Sequence, residues 1–132
     1  MKKYITILLT ILSLCLIIFN AGCFNNNSNN DSSTSIIKKV ELVGTPQMNV
    51  EYNSYLGYSA EITGTLKNYT SRAYSYVQIE FSVYDSEGNN LGTAIANMNN
   101  LQSGDTWKFS ASLLSFPDTQ PASFKLIDIS CF

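Results

Sequence analysis

The stretch Tyr76-Val77-Gln78-Ile79-Glu80-Phe81-Ser82-Val83-Tyr84-Asp85 alternates without a break. Val77, Ile79, Phe81 and Val83 share one parity, and Tyr76, Gln78, Glu80, Ser82 and Tyr84 share the other. Successive side chains of an extended chain point to opposite faces, so this period of two predicts a strand with a buried and a solvated side. Ala60, Ile62, Gly64 and Leu66 alternate in the same way within Tyr58 to Asn68, as do Trp107, Phe109, Ala111 and Leu113 further on. Less regular strands are predicted for Lys38 to Val43, Gln47 to Leu56, Leu91 to Met98 and Ser123 to Ser130. In the last, apolar parity changes between Phe124/Leu126 and Ile127/Ile129, the pattern expected of a bulge or of burial on both faces. No amphipathic helix is predicted after residue 35. About seven short antiparallel strands separated by turn-rich breaks point to an all-β fold, an immunoglobulin-like β-sandwich over residues 36–132.

Upstream of the strands, Phe24 to Ser35 reads FNNNSNNDSSTS. Such a segment has little apolar surface to offset the entropy of ordering, so residues 23–35 are expected to form a disordered linker. Before it, Lys2 and Lys3 precede the apolar run Ile5 to Phe19, the charge and length pattern of a signal peptide helix over residues 1–22. The run ends in Asn20-Ala21-Gly22-Cys23, which resembles the lipobox of bacterial lipoproteins, with Asn20 where an aliphatic residue is usual. That resemblance implies a diacylglycerol thioether on Cys23 after cleavage, and an address on the outer leaflet of the cytoplasmic membrane. Two acyl chains hold a protein to a bilayer stably, whereas one binds marginally. An uncleaved membrane helix and an ordinary secretory signal remain the alternatives, because Tyr4 to Phe24 carries no charge and is long enough to span.

Charge and cysteine usage restrict the function classes. Of eight basic and ten acidic side chains in the chain, Lys2 and Lys3 leave with the signal, so six face ten and the mature net charge is −4. Nucleic acid is therefore not an expected partner. Of the cysteines, Cys15 departs with the signal and Cys23 would carry lipid, which leaves Cys131 expected to have no intramolecular partner. There is no histidine, which removes the commonest general base and zinc ligand together with Ser/His and Cys/His nucleophile pairs. Glu61 and Glu80, on outward parities of strands expected to be neighbours, are the carboxylate pair that remains, and a lone sandwich offers them no cleft. No enzymatic activity, cofactor or metal is expected.

Phe81-Ser82-Val83-Tyr84-Asp85 resembles the motif of the FxLYD domain family, with Val83 in the place of leucine. Gly64-Thr65-Leu66-Lys67-Asn68, the turn residues Glu87-Gly88 and the stretch Leu101 to Phe109 fit the family's spacing, so the likeness covers roughly Ala60 to Leu113. It implies a small sandwich in a lipoprotein or other envelope protein, and the family carries no agreed enzymatic activity to transfer. Read from physics alone, Phe81 and Val83 are core residues, and Asp85 accepts backbone N–H bonds from the turn that follows. The oxygens of DSEGNN (Asp85 to Asn90) suit a hard cation but form no complete binding loop, so a plain hairpin turn is the expectation. Asn68-Tyr69-Thr70 matches a glycosylation pattern, which carries little weight in such a protein.

The candidate ligand surface is aromatic. Tyr74, Tyr76 and Tyr84 share the outward parity of one strand, Tyr69 lies in the loop before it, and Tyr52, Tyr55 and Tyr58 crowd the preceding region. Tyrosine combines a flat apolar ring with a hydroxyl and suits protein interfaces or stacking on sugars; it also serves simply to cover a sheet. The reading is thus a membrane-attached binding module for an envelope protein partner, with a wall-polysaccharide module or a structural spacer as alternatives.

Overall fold

The computed structural model describes Cys23, Phe24 and residues 39–132; the expected signal helix and most of the expected linker lie outside the described residues. Eight antiparallel strands form the sheet: β1 (Cys23–Phe24), β2 (Lys39–Leu42), β3 (Gln47–Asn53), β4 (Gly57–Asn68), β5 (Tyr74–Tyr84), β6 (Asn90–Leu101), β7 (Thr106–Leu113) and β8 (Ser123–Cys131). Their order is β1-β2-β4-β7-β6-β5-β8, with β3 pairing the same edge of β4 as β2 does. The ladder between β6 and β7 holds only Ala94 opposite Leu113 and Ile95 opposite Ser112. At that narrow corner the sheet folds over, bringing β2, β3, β4 and β7 onto β6, β5 and β8 as a barrel-like sandwich.

The alternating positions fill the interior. Ile62 and Leu66 of β4, Val77, Ile79, Phe81 and Val83 of β5, Ala94 and Ala96 of β6, and Phe109, Ala111 and Leu113 of β7 are all buried. The parity change in β8 is a bulge. Glu80 pairs with Asp128 but Phe81 pairs with Leu126, so Ile127 is the extra residue. It points outward and is exposed, while Ile129 returns to the core. One inserted residue thereby keeps Phe124, Leu126 and Ile129 on the inner face.

Across the interior, the Phe81 ring meets Phe109 at 5.8 Å between centroids, nearly parallel, and Phe124 at 5.6 Å edge-on. Trp107 packs edge-on against Phe109 from the same strand at 5.9 Å. Phe109 in turn lies on the bare Cα of Gly64, to which it is paired in the ladder. A β-carbon at Gly64 would stand 2.6 Å from Phe109 Cζ. The glycine in an otherwise apolar alternation is thus the hole that admits the ring.

Asn68 closes one end of the sandwich and is fully buried. Its Oδ1 accepts the Thr70 backbone N–H at 2.9 Å and the Thr70 hydroxyl at 2.7 Å. Its Nδ2 donates to the carbonyls of Arg72 at 2.9 Å, Gln102 at 3.0 Å and Leu101 at 3.4 Å. The loop after β4 is thereby tied to the loop after β6, and the Ser103 hydroxyl adds a bond to the Thr70 carbonyl at 2.7 Å. An amide engaged in this way is not available as a glycosylation acceptor in the folded chain.

Two expectations require correction. Glu61 and Glu80 do not lie on neighbouring strands, since β7 and β6 stand between β4 and β5; alternation assigns faces and says nothing about lateral order. The linker expected to start at Cys23 has its first two residues in the sheet, with Cys23 opposite Val40 and Phe24 opposite Lys39.

The packing makes two stability predictions, each read from a urea midpoint. Gly64→Ala must displace the Phe109 ring and should cost about 1–3 kcal/mol, as overpacked cores do, with part of the loss recovered in the double variant carrying Phe109→Leu. Asn68→Ala leaves buried carbonyls without donors and should cost about 3 kcal/mol, whereas Tyr69→Ala beside it should cost under about 1 kcal/mol.

Candidate functional site

The four tyrosines expected to form a ligand surface do not come together. Tyr74 is buried, 3 % exposed, and belongs to the core. The alternation fails at this end of β5: opposite it Asn100, at φ 64°, precedes Leu101, and Tyr74 is buried together with that ladder partner, with the Arg72 guanidinium carbon 4.9 Å from its ring centroid. Tyr76 is half-buried against Phe132 of the C-terminus, with centroids 6.1 Å apart, and its hydroxyl donates to Gln78 Oε1, whose own amide donates to Glu80. Tyr84 sits at the far end of β5, eight residues or about 26 Å from Tyr76 at ~3.3 Å per residue. Tyr69 is exposed in the loop after β4 with Lys67 Nζ 5.0 Å from its ring centroid. Strand parity put these side chains on one face; distance along the strand and local cover separate them.

A different aromatic cluster is formed at the end of the sandwich opposite Asn68. β3 and β4 pair in register from Gln47 with Thr63 to Asn53 with Gly57, so Tyr52 and Tyr58 stand side by side, with centroids 4.8 Å apart and planes tilted by 52°. The turn between them is stapled by Asn53, whose Oδ1 accepts the backbone N–H groups of Tyr55 at 2.8 Å and Leu56 at 3.2 Å. This side-chain capped turn holds Tyr55 outward, 94 % exposed, with Leu56 also exposed.

The turn is seated on the loop between β7 and β8. Tyr58 donates its N–H to the Pro117 carbonyl at 2.9 Å. Gly57, at φ +96°, sits so close that a β-carbon would be 2.8 Å from that same oxygen. The contact brings Leu114 and Phe116, both exposed, to the same end as Tyr52, Tyr55 and Leu56. Large apolar side chains scattered singly are ordinary on a surface, but a grouped set on rigidly hydrogen-bonded turns is the feature of an interaction site. The crowding of Tyr52, Tyr55 and Tyr58 is visible in the sequence. The part played by Leu114 and Phe116 is not, because only the fold brings the later loop beside the earlier turn.

The structural motif behaves as its chemistry suggests. Phe81 and Val83 are core, and Tyr84 is half-buried. Asp85 Oδ1 accepts the N–H groups of Glu87 at 2.9 Å and Asn89 at 2.8 Å, and its Oδ2 accepts Asn89 Nδ2 at 2.9 Å. The backbone adds bonds from Asp85 N–H to the Asn89 carbonyl and from Gly88 N–H to the Asp85 carbonyl. Its carboxylate is thus engaged by the turn itself, and among the described residues no group of three or more His, Cys, Asp or Glu side chains is placed to hold a metal ion. The Asn89 side-chain amide, with the N–H groups of Asn89, Glu87 and Gly88, lowers the Asp85 pKa below the usual carboxylate value against an opposing effect of desolvation.

Cys131 is disulfide-bonded, which corrects the expectation that it has no intramolecular partner. That expectation rested on elimination, with Cys23 set aside for lipid, and spacing along a chain carries no information about which thiols meet in space. Compared with family models, curated proteins and solved structures, the chain matches none.

Because the folded pKa of Asp85 is depressed, its contribution to stability is present at neutral pH. It is lost as pH falls below about 4 through the folded value. The denaturation midpoint should therefore drop on acidification from pH 5 to pH 3, and Asp85→Asn should show a smaller drop over that window while being less stable than wild type at pH 7.

Proposed function

We propose that the protein is a membrane-attached extracytoplasmic binding module of FxLYD-like kind, non-catalytic, which engages an envelope protein through the end formed by Tyr52, Tyr55, Leu56, Leu114 and Phe116. The observation that carries the reading is where this end lies relative to the attachment segment. β1, which follows that segment directly, pairs with β2 at Val40, and Val40 pairs with Asn68 at one end of β4. The aromatic turn begins at Gly57, the other end of the same strand. Twelve residues of β4 put about 36 Å between them at ~3.3 Å per step. A domain held by its N-terminal segment, through lipid on Cys23 or through the apolar run before it, carries its exposed aromatic end away from the bilayer.

The chemistry of that end favours a protein partner over wall polysaccharide. Sugar sites combine a stacking ring with polar side chains aimed at hydroxyls, whereas the large exposed side chains that share this end with Tyr55 are Leu56, Leu114 and Phe116. Aromatic and aliphatic groups together suit the desolvated centre of a protein interface. Support for the envelope address comes from the Lys2-Lys3 start, the apolar run and the FxLYD-like motif, all read from the sequence.

A photo-crosslinking residue placed at Tyr55 or Phe116 of the full chain in intact cells should yield one discrete protein adduct, and the same residue at Gln102, at the opposite end, should not. The triple variant Tyr55→Ser, Leu56→Ser, Phe116→Ser should abolish complex formation at an unchanged urea midpoint. Equal adducts at both ends, or none, would overturn the reading. Selective shifts of the Tyr52 and Tyr55 ring resonances with purified wall glycan at millimolar concentration would replace it with the polysaccharide alternative.

A further inference from the structure

The strand order runs from β1, laid on the outer side of β2, to β8, and the seam of the barrel-like sandwich lies between β2 and β8. β1 occupies that seam. It is hydrogen-bonded to β2 on one side and lies against β8 on the other. Two residues long, it has only the Cys23–Val40 and Phe24–Lys39 pairings to hold it to β2, which is little for a strand on its own. Cys131, at the end of β8 opposite Val77, is half-buried and disulfide-bonded. The chain has two other cysteines, Cys15 and Cys23, and Cys23 is the one in the strand that lies beside β8.

We propose that Cys131 is bonded to Cys23, and that this bond clasps β1 into the seam and closes the sandwich. A link between residues so far apart in sequence restrains the unfolded chain more than a short loop would. It also ties the segment entering the domain to the strand that ends it. The bond is made by exchange. One cysteine thiolate attacks the disulfide of an envelope thiol–disulfide oxidoreductase and expels one of its sulfurs as thiolate; the second domain thiolate then attacks the domain sulfur of the mixed disulfide and expels the oxidoreductase's other thiolate. The domain gives up two protons and two electrons, and the oxidoreductase leaves as a dithiol. Such chemistry belongs to an oxidising compartment, so the proposal rests on the extracytoplasmic part of the reading above.

It has a chemical corollary for attachment. The sulfur of Cys23 forms either a disulfide or a thioether to diacylglycerol, and one molecule cannot have both. Asn20, in the place of the aliphatic residue usual before the cysteine, is the departure that fits a chain left unlipidated. Chains with the bond are then held to the membrane by the apolar run Ile5 to Phe19.

The decisive experiment uses the full chain expressed with its own leader in a bacterium with an oxidising envelope. Membranes are solubilised in N-ethylmaleimide without reductant, digested and analysed by mass spectrometry. The expected product is the C-terminal peptide containing Cys131 joined to the peptide containing Cys23, two hydrogens lighter than the sum and separated by reductant. In Cys131→Ser, Cys23 should become reactive to maleimide or take up labelled fatty acid. Maleimide on Cys131 in unreduced wild type, or a bond from Cys131 to Cys15, would overturn the proposal. Fatty acid on Cys23 together with maleimide on Cys131 would do so while leaving the lipoprotein reading intact. A Cys23–Cys131 bond in protein that washes from membranes with carbonate would uphold the clasp and remove the attachment instead.

Discussion

The contact of Phe81 with Phe109 is the constraint on which the sandwich depends. Phe81 comes from β5 and Phe109 from β7, so their near-parallel rings join the two halves of a sheet that is otherwise continuous only through the two paired positions between β6 and β7. Burying each ring is worth about 1.5–3 kcal/mol, with about 0.5–1.5 kcal/mol more for a well-placed aromatic pair. The geometry holds because the surroundings are shaped to it. Gly64 leaves space under Phe109, Phe124 closes the edge of Phe81, and the bulge at Ile127 keeps Phe124 and Ile129 on the same inner face.

The two ends of the sandwich are finished by different chemistry. At one end a buried amide, Asn68, satisfies two loops from inside, and the C-terminal Phe132 is fixed by backbone bonds with Ser75 and Tyr76. At the other, Asn53 and Asp85 each use a side-chain oxygen to collect N–H groups of their own turns. Turns that satisfy themselves locally need little cover from neighbours. Apolar side chains such as Tyr55 and Phe116 can therefore project from that end on a rigid base.

Much of this was legible in the sequence. The seven strands fall where alternation placed them, and the parity change in residues 124–129 marked the bulge. Phe81, Val83 and Asp85 have the core and turn roles their spacing implied. What alternation could not convey was lateral order and closure. Glu61 and Glu80 share outward parity yet stand on opposite halves, and Tyr74 shares the parity of Tyr76 yet lies in the core beside Leu101, where the break in alternation at Asn100 is invisible from β5 alone. Asn68 looked like a strand terminus, or a glycosylation acceptor, because its partners Leu101 and Gln102 are over thirty residues away. The bonded state of Cys131 and the seating of the Gly57–Tyr58 turn on Phe116 and Pro117 are likewise products of long-range pairing, to which local pattern is blind.

One feature of the edge acquires meaning when many copies share a surface. β2 and β3 both use the same side of β4, and the chain departs from it between Val43 and Pro46. Proteins confined to two dimensions meet side-on at high effective concentration, and an uninterrupted edge would invite them to join sheets into ribbons. Here β1 covers the outer side of β2, and the stretch left open is β3 alone, which begins just after Pro46 and has Asn49, Glu51 and Asn53 exposed along it. Under the attachment proposed above, crowded neighbours sharing an excess of acidic side chains would repel one another rather than polymerise, and each domain would keep the end carrying Tyr55 free as a separate unit.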